Sequence, residues 1–148
     1  RRRLLASRGL RWGYALALGA EYLLQVVWRV RLPLLLGRTL VCDRYYIDTV
    51  VADLALDAPD PERTLAGLLR VYRRLLPRPA ATFMLDVPAE VACERKADIP
   101  ALEYAQGLRR LYLLAAASEG ATVLDGTRPA AELLAEVMGE LERKEIQV

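Results

Sequence analysis

The chain has 148 residues, enough for one domain, and 54% of them are hydrophobic, enough for a packed core. Its net charge is +2 and it contains no histidine. This composition excludes a polycationic nucleic-acid-binding protein, histidine-based catalytic triads and histidine-ligated metal sites within this chain. Its two cysteines, Cys42 and Cys93, form neither a disulfide framework nor a zinc pattern. We therefore expect both to be core residues and the protein to be cytoplasmic.

The first predicted element is a long helix over about residues 10–32, which we expect to end at Pro33 because proline interrupts the helical hydrogen bonds. Residues 12–28 are mostly apolar and follow a basic cluster, so a signal or membrane segment is one alternative. The stretch is short for a membrane span of about 20 residues, and it contains Glu21 and Gln25. We therefore expect a buried or interfacial helix and no membrane span.

A short buried strand is predicted at Thr39–Cys42, where an apolar run ends abruptly in polar residues. A helix is predicted next, over Tyr46–Leu56. Asp60 has the side chain of an N-cap and Pro61 suits the first helical position, so another helix should start there. Apolar residues at helical spacing continue that helix through Leu65–Leu76.

Two further strands alternate with helices in the second half of the chain. The strands are predicted at Thr82–Asp86 and Thr122–Leu124, and a charged loop containing a proline is predicted at Lys96–Ala101. The helices are predicted at Pro88–Arg95, Leu102–Ser118 (capped by Gly120) and Pro129–Arg143. Strands separated by helices imply crossover connections, so we predict an α/β fold with a parallel sheet and flanking helices over residues 1–148.

Asp43 and Arg44 directly follow the predicted strand Thr39–Cys42. Ligands of open α/β sheets bind just outside the carboxyl ends of the strands. A carboxylate there can hold Mg²⁺ or its water, and a guanidinium group can grip phosphate oxygens. The pair therefore suggests phosphoryl transfer, in which catalysis consists mostly of positioning and charge neutralisation. The alternative is a structural ion pair at the end of a strand.

Three groups of residues, taken in order, resemble the thymidylate kinase family: Val41–Tyr45, then Phe83–Ala92 with Arg95, then Tyr112 with Val123–Pro129. Members of this family are P-loop kinases that transfer the γ-phosphoryl group of ATP to a nucleoside monophosphate. The similarity covers roughly residues 15–142. It implies a P-loop NTPase fold, ATP with Mg²⁺ as the donor, and dTMP as the default acceptor.

The resemblance also implies roles for individual residues. Asp43 matches the acid near Mg²⁺ and the reacting phosphates, and Arg44 matches the arginine that holds the acceptor phosphate. Arg95 lies where the family's lid begins, and a lid arginine contacts ATP and acts in catalysis. The remaining residues implied for the acceptor site are Tyr45, Asp48 and Tyr22, and those implied for ATP are Lys96, Arg109, Asp125, Thr127 and Arg128. The alternatives are that Arg95 is a solvated helix terminus and that Asp125-Gly126 is only a turn.

The family's phosphate-binding motif, Gly-x-x-x-x-Gly-Lys-[Ser/Thr], does not occur in this sequence. The family carries that motif on a strand between those that correspond here to Thr39–Cys42 and Thr82–Asp86. We expect the motif to lie upstream of Arg1, which would make this chain the C-terminal two-thirds of the domain. The alternative is a degenerate relative that has rebuilt its sheet. The 148 residues by themselves are expected not to turn over ATP.

The acceptor site departs from the family pattern. Tyr22 stands where the family has a nucleotide-binding arginine, and Ala52-Asp53 replaces the Tyr-Gln pair that reads thymine. An ionised aspartate only accepts hydrogen bonds, whereas glutamine both donates and accepts. Two alternatives to a dTMP kinase therefore stay open: a kinase for another small acceptor, and a non-catalytic interaction domain. The apolar helix over residues 12–36 fits a homodimer interface in either case.

Overall fold

A computed structural model describes residue 21, residues 24–96 and residues 101–144. The chain divides into two compact units, and the boundary between them falls after Val41. The described part is a mixed α/β structure with a small parallel sheet and flanking helices, as predicted. That residues 1–148 form a single domain remains a prediction.

In the first unit, the helix does not end before Pro33. A π-helical segment, Val27–Arg31, continues into the α-helix α1, Leu32–Leu35, and the chain turns at Gly37. The N–H of Leu32 donates to the carbonyl of Val27, one residue further back than in an α-helix. A widened turn just before proline lets the helix pass a residue that has no N–H to donate. The part of the predicted helix over residues 10–20 lies outside the described residues.

The prediction of a buried strand at Thr39–Cys42 is wrong. These residues pair with no strand in the described part of the chain, and Val41 is 85% exposed. The prediction that Cys42 belongs to the core is wrong for the same reason, while Cys93 is half-buried. An apolar run becomes a buried strand only where a neighbouring strand accepts its hydrogen bonds.

The sheet belongs to the second unit and has two parallel strands, β1 (Phe83–Asp86) and β2 (Thr122–Asp125). Phe83 lies opposite Thr122, and Asp86 lies opposite Asp125. This confirms the two later predicted strands and their parallel pairing. The register also places the two aspartates side by side at the carboxyl ends.

Five α-helices of the second unit are described. They are α2 (Tyr46–Asp48, continued by the π-helical segment Thr49–Ala55), α3 (Pro61–Leu75), α4 (Ala89–Arg95), α5 (Leu102–Glu119) and α6 (Ala130–Arg143). Asp60 caps α3 as predicted, because its Oδ1 accepts a hydrogen bond from the N–H of Arg63 at 3.1 Å. Gly120 ends α5 with φ +68°, a left-handed conformation that glycine adopts without steric cost.

The core of the second unit lies where the segment Thr49–Ala55 packs against α3 and α5. Its buried side chains are Val50, Val51, Ala55, Leu65, Leu69, Leu111, Ala115 and Ala116. Each fully buried leucine or valine stabilises the fold by about 1.5–3 kcal/mol. This packing fixes α2 and α5, which carry Asp48 and Tyr112, described below. None of the helices in the described ranges is both long and apolar enough to cross a membrane.

Candidate functional site

Two aspartates mark the carboxyl end of the sheet, where ligands bind in folds of this kind. Asp86 receives two hydrogen bonds from Arg109 of α5: Nε to Oδ1 and Nη2 to Oδ2, both at 2.6 Å. The bidentate contact with Arg109 lowers the pKa of Asp86, and Asp86 raises the pKa of Arg109. Arg109, which the resemblance assigned to ATP, is therefore held at the end of the sheet by a residue that the sequence analysis did not select.

The turn after β2 folds around Asp125. Its Oδ1 accepts hydrogen bonds from the N–H of Thr127 at 2.9 Å and from the Thr127 hydroxyl at 2.6 Å. These two bonds, the hydroxyl bond first, lower the pKa of Asp125. The N–H of Gly126 donates to the carbonyl of Asp86 at 2.8 Å, and a Cβ at Gly126 would lie 2.7 Å from Cγ2 of Val87. Only glycine fits this close approach, which joins the turn to β1.

Arg95, the last residue of α4, reaches the same turn. Its Nη1 donates to the carbonyl oxygen of Gly126 at 3.1 Å. The residue predicted to begin the lid therefore contacts the turn that carries Asp125 and Thr127, which the resemblance implies for ATP. Lys96 is the C-cap of α4, and residues 97–100 of the predicted lid lie outside the described residues. Arg95, Asp125, Thr127 and Arg109 thus gather at the carboxyl end of the sheet.

Arg128 points to α6 instead. Its Nη1 lies 2.5 Å from Glu136 Oε2 and its Nε lies 3.2 Å from Glu132 Oε2. These hydrogen bonds, the one to Glu136 first, raise the pKa of Arg128. In this structure the guanidinium therefore pairs with α6, and its contact with ATP stays a prediction.

The backbone of Arg44 is unusual. Its φ is +57°, and it is the one non-glycine residue with positive φ in the described part of the chain. The side chain is 68% exposed, and its Nη1 lies 3.7 Å from Oδ2 of Asp48. The preceding Asp43 is also exposed. Arg44 therefore presents its guanidinium to solvent from a conformation that costs a residue with a Cβ about 1–2 kcal/mol.

Asp48 has a second partner. Its Oδ1 accepts a hydrogen bond from the hydroxyl of Tyr112, which lies on α5, 64 residues away in sequence. Burial first, and then this hydrogen bond, raise the pKa of Tyr112. The two carboxylate oxygens of Asp48 thus face Tyr112 and Arg44, and Asp48 connects a half-buried tyrosine to an exposed arginine.

The tyrosines that follow Arg44 anchor its turn. The hydroxyl of Tyr45 donates to the carbonyl of Pro77 at 3.2 Å, and its ring lies edge-on to that of Tyr46, 5.0 Å between centroids. Tyr46 is buried and donates to Glu119 Oε2 at 2.6 Å. Burial and Glu119 raise the pKa of Tyr46. Tyr45, predicted to bind the acceptor, is therefore part of this anchor, while Tyr22 lies outside the described residues.

The described acidic side chains fit Mg²⁺ only where the ion is bound together with a phosphate ligand. Mg²⁺ sites of this kind use one or two carboxylates, several waters and the phosphates of the substrate. Asp43 offers one exposed carboxylate of this type. No group of three or more histidine, cysteine or acidic side chains is gathered as a metal site within the described ranges. The donor chemistry of Asp43 therefore suits a nucleotide-borne Mg²⁺ and not a preformed metal cage.

Asp86 and Tyr112 belong to this geometry, although neither is among the site residues predicted from the sequence. Asp86 ends a correctly predicted strand, so the rule that singled out Asp43 also applied to it. Tyr112 follows Arg109 by three residues, which puts both on neighbouring positions of one helix face. Its pairing with Asp48 depends on how α5 packs, and no local signal reveals that.

Direct comparison finds similarity to a curated protein. A protein of Pyrobaculum calidifontis described as "Probable thymidylate kinase" is 30% identical to it over 113 residues, which make up 72% of this chain and 55% of that protein. The chain therefore spans about half the length of this curated relative. No family model matches the chain, and no solved structure matches it. The similarity supports a kinase-like relationship for this chain.

Proposed function

We propose that the chain is the acceptor-binding and lid-bearing part of a nucleoside monophosphate kinase with a P-loop NTPase fold, with ATP as donor and dTMP as the default acceptor. The observation that carries the proposal is the left-handed backbone of the exposed Arg44. Strained residues persist where the surrounding structure holds them, and they cluster at functional sites. Here the anchor formed by Tyr45 and Tyr46 holds the turn.

Arg44 has the chemistry to hold the phosphate of the acceptor. A guanidinium group can give two parallel N–H bonds to a phosphate group, and Arg44 has most of its surface free for this. Asp43 would hold Mg²⁺ or its water, and Arg95 would cover ATP from its position at Gly126. When bound, the Mg²⁺ of ATP neutralises charge on the transferred phosphoryl group. The chain's own contribution is to orient the phosphates and to place positive charge beside them.

A second candidate function is that of a non-catalytic interaction domain. The described part of the first unit exposes large apolar side chains, including those of Trp28 and Leu35. Contiguous exposed apolar surface is typical of protein contact sites. The same surface fits the predicted homodimer of a catalytic protein, so only an activity measurement separates the two functions.

The test is a kinase assay on the complete gene product with ATP, Mg²⁺ and a panel of nucleoside monophosphates. We expect turnover in the wild-type protein and a loss of about tenfold to a thousandfold in kcat/KM for Arg44→Lys, because lysine keeps the charge but lacks the planar fork. Arg70→Lys is the matched control, since Arg70 is an exposed arginine on α3. If Arg44→Lys melts at a much lower temperature while the folded fraction keeps full activity, Arg44 is a structural residue and the assignment is wrong.

A further inference from the structure

The ion pair with Asp48 is by itself too weak to hold the guanidinium of Arg44 in one orientation. The distance of 3.7 Å from its Nη1 to Asp48 Oδ2 exceeds the roughly 2.7–2.9 Å of a charge-assisted hydrogen bond. Exposed ion pairs of this kind add little to stability. An arginine side chain also has many rotamers, so such a pair leaves the guanidinium mobile unless the carboxylate is itself fixed.

Tyr112 supplies that fixation. Its hydroxyl donates to the other oxygen of Asp48 and comes from α5, the helix whose residues Leu111 and Ala115 are buried in the core. Asp48 is only 27% exposed and stands on α2, four residues after Arg44. The core thus orients the carboxylate, and the carboxylate faces the guanidinium.

We propose that Tyr112 is a positioning residue that sets Arg44 for the phosphate of the acceptor by fixing the carboxylate of Asp48. The inference rests on the proposed function and adds a residue to it. Asp48 faces Arg44 at Nη1, which leaves the other N–H groups of the guanidinium for a phosphate monoester. Tyr112 touches neither substrate nor reacting atoms and acts only through its hydrogen bond.

The inference predicts an effect confined to the acceptor. Tyr112→Phe removes the hydroxyl and keeps the ring, so the buried packing of α5 is retained. We expect KM for the acceptor to rise and its kcat/KM to fall about 10- to 150-fold, the scale of one hydrogen bond to a charged group. KM for ATP should stay within about twofold, because among the described residues the side chain of Tyr112 hydrogen-bonds to Asp48 and not to Arg95, Arg109 or Asp125.

Tyr104→Phe is the matched control, because Tyr104 lies on the same helix, is 40% exposed, and its hydroxyl makes no hydrogen bond to any described residue. Asp48→Asn is the second variant, and it should raise KM for the acceptor as Tyr112→Phe does. In an Arg44→Ala background, Tyr112→Phe should have no further effect, since the group it positions is gone.

The experiment measures steady-state kinetics with the complete gene product and, in parallel, the Kd for dTMP by calorimetry. An active wild-type protein whose Tyr112→Phe variant behaves like Tyr104→Phe overturns the inference and leaves the proposed function standing. An equal rise in both KM values, or a Tyr112→Phe effect that persists in the Arg44→Ala background, overturns it as well.

If the wild-type protein binds dTMP but transfers no phosphate, the proposed function fails, and an unchanged Kd in Tyr112→Phe then refutes the positioning role. A wild-type protein that neither binds nor phosphorylates dTMP or any other monophosphate of the panel refutes both.

Discussion

The strain at Arg44 can be separated from the chemistry of its side chain by comparing two substitutions, Arg44→Gly and Arg44→Ala. Both remove the guanidinium and the weak ion pair with Asp48, so these losses cancel in the comparison. The variants differ only in the Cβ, which decides how well the residue tolerates φ of +57°.

The expected difference in stability follows from two opposing contributions. Relief of the left-handed strain favours glycine by about 1–2 kcal/mol. The greater freedom of glycine in the unfolded chain disfavours it by about 0.5–1 kcal/mol. We therefore expect Arg44→Gly to be more stable than Arg44→Ala by about 0.5–1 kcal/mol. At an ordinary position the order is reversed by a similar amount.

The assay is urea denaturation of both variants of the complete gene product, followed by kinase measurements on the folded proteins. Both variants should lose activity alike, although the glycine variant is the more stable of the two. A glycine variant less stable than the alanine variant by about 0.5–1 kcal/mol would show that the backbone is not left-handed at this position. Backbone strain at Arg44 would then no longer support a functional role for this residue. A glycine variant with full activity would instead show that the Arg44 side chain has no role.

Two further predictions concern the carboxyl end of the sheet. Gly126→Ala should lower the free energy of unfolding by about 1–3 kcal/mol, because the new Cβ meets Val87 and the backbone of Asp86. Gly139→Ala is the control and should be neutral or stabilising, because Gly139 has open space around it. Equal denaturation midpoints for the two variants would contradict the close approach at Gly126. The pKa of Asp86 is lowered by Arg109, so its contribution to stability is complete above its unfolded value of about 3.9 and is lost as pH falls below that value. The stability difference between wild type and Asp86→Asn should therefore be constant from about pH 5 to 8 and shrink below about pH 4, and a difference independent of pH would refute the pairing.

The sequence predicted those elements whose signals are local. Asp60 and Pro61 fix the start of α3 by a side-chain cap and a preset φ, and Gly120 ends α5 by a conformation that glycine alone adopts freely. The strand at Thr39–Cys42 was wrong because apolar residues specify burial only when a neighbouring strand is available.

The site could be predicted only in part. The sequence placed Asp43 and Arg44 together because they are adjacent, and it associated Asp125 with Thr127 through one turn. The pairing of Asp86 with Arg109 spans 23 residues, and that of Tyr112 with Asp48 spans 64. Such contacts depend on how α5 packs on the rest of the unit. The left-handed backbone of Arg44 also has no sequence signal, because arginine rarely adopts it.

The most direct test of the account is phosphoryl transfer by the complete gene product, measured with ATP and Mg²⁺ against dTMP, dUMP and other nucleoside monophosphates. The account predicts Mg²⁺-dependent formation of nucleoside diphosphate. A preference for dTMP of less than about a hundredfold is also expected, because Ala52 and Asp53 stand where the resemblance to thymidylate kinases implies the residues that read thymine. A preference above that value would mean that other residues read the base. No diphosphate from any acceptor, by a folded protein that binds ATP, would contradict the central claim.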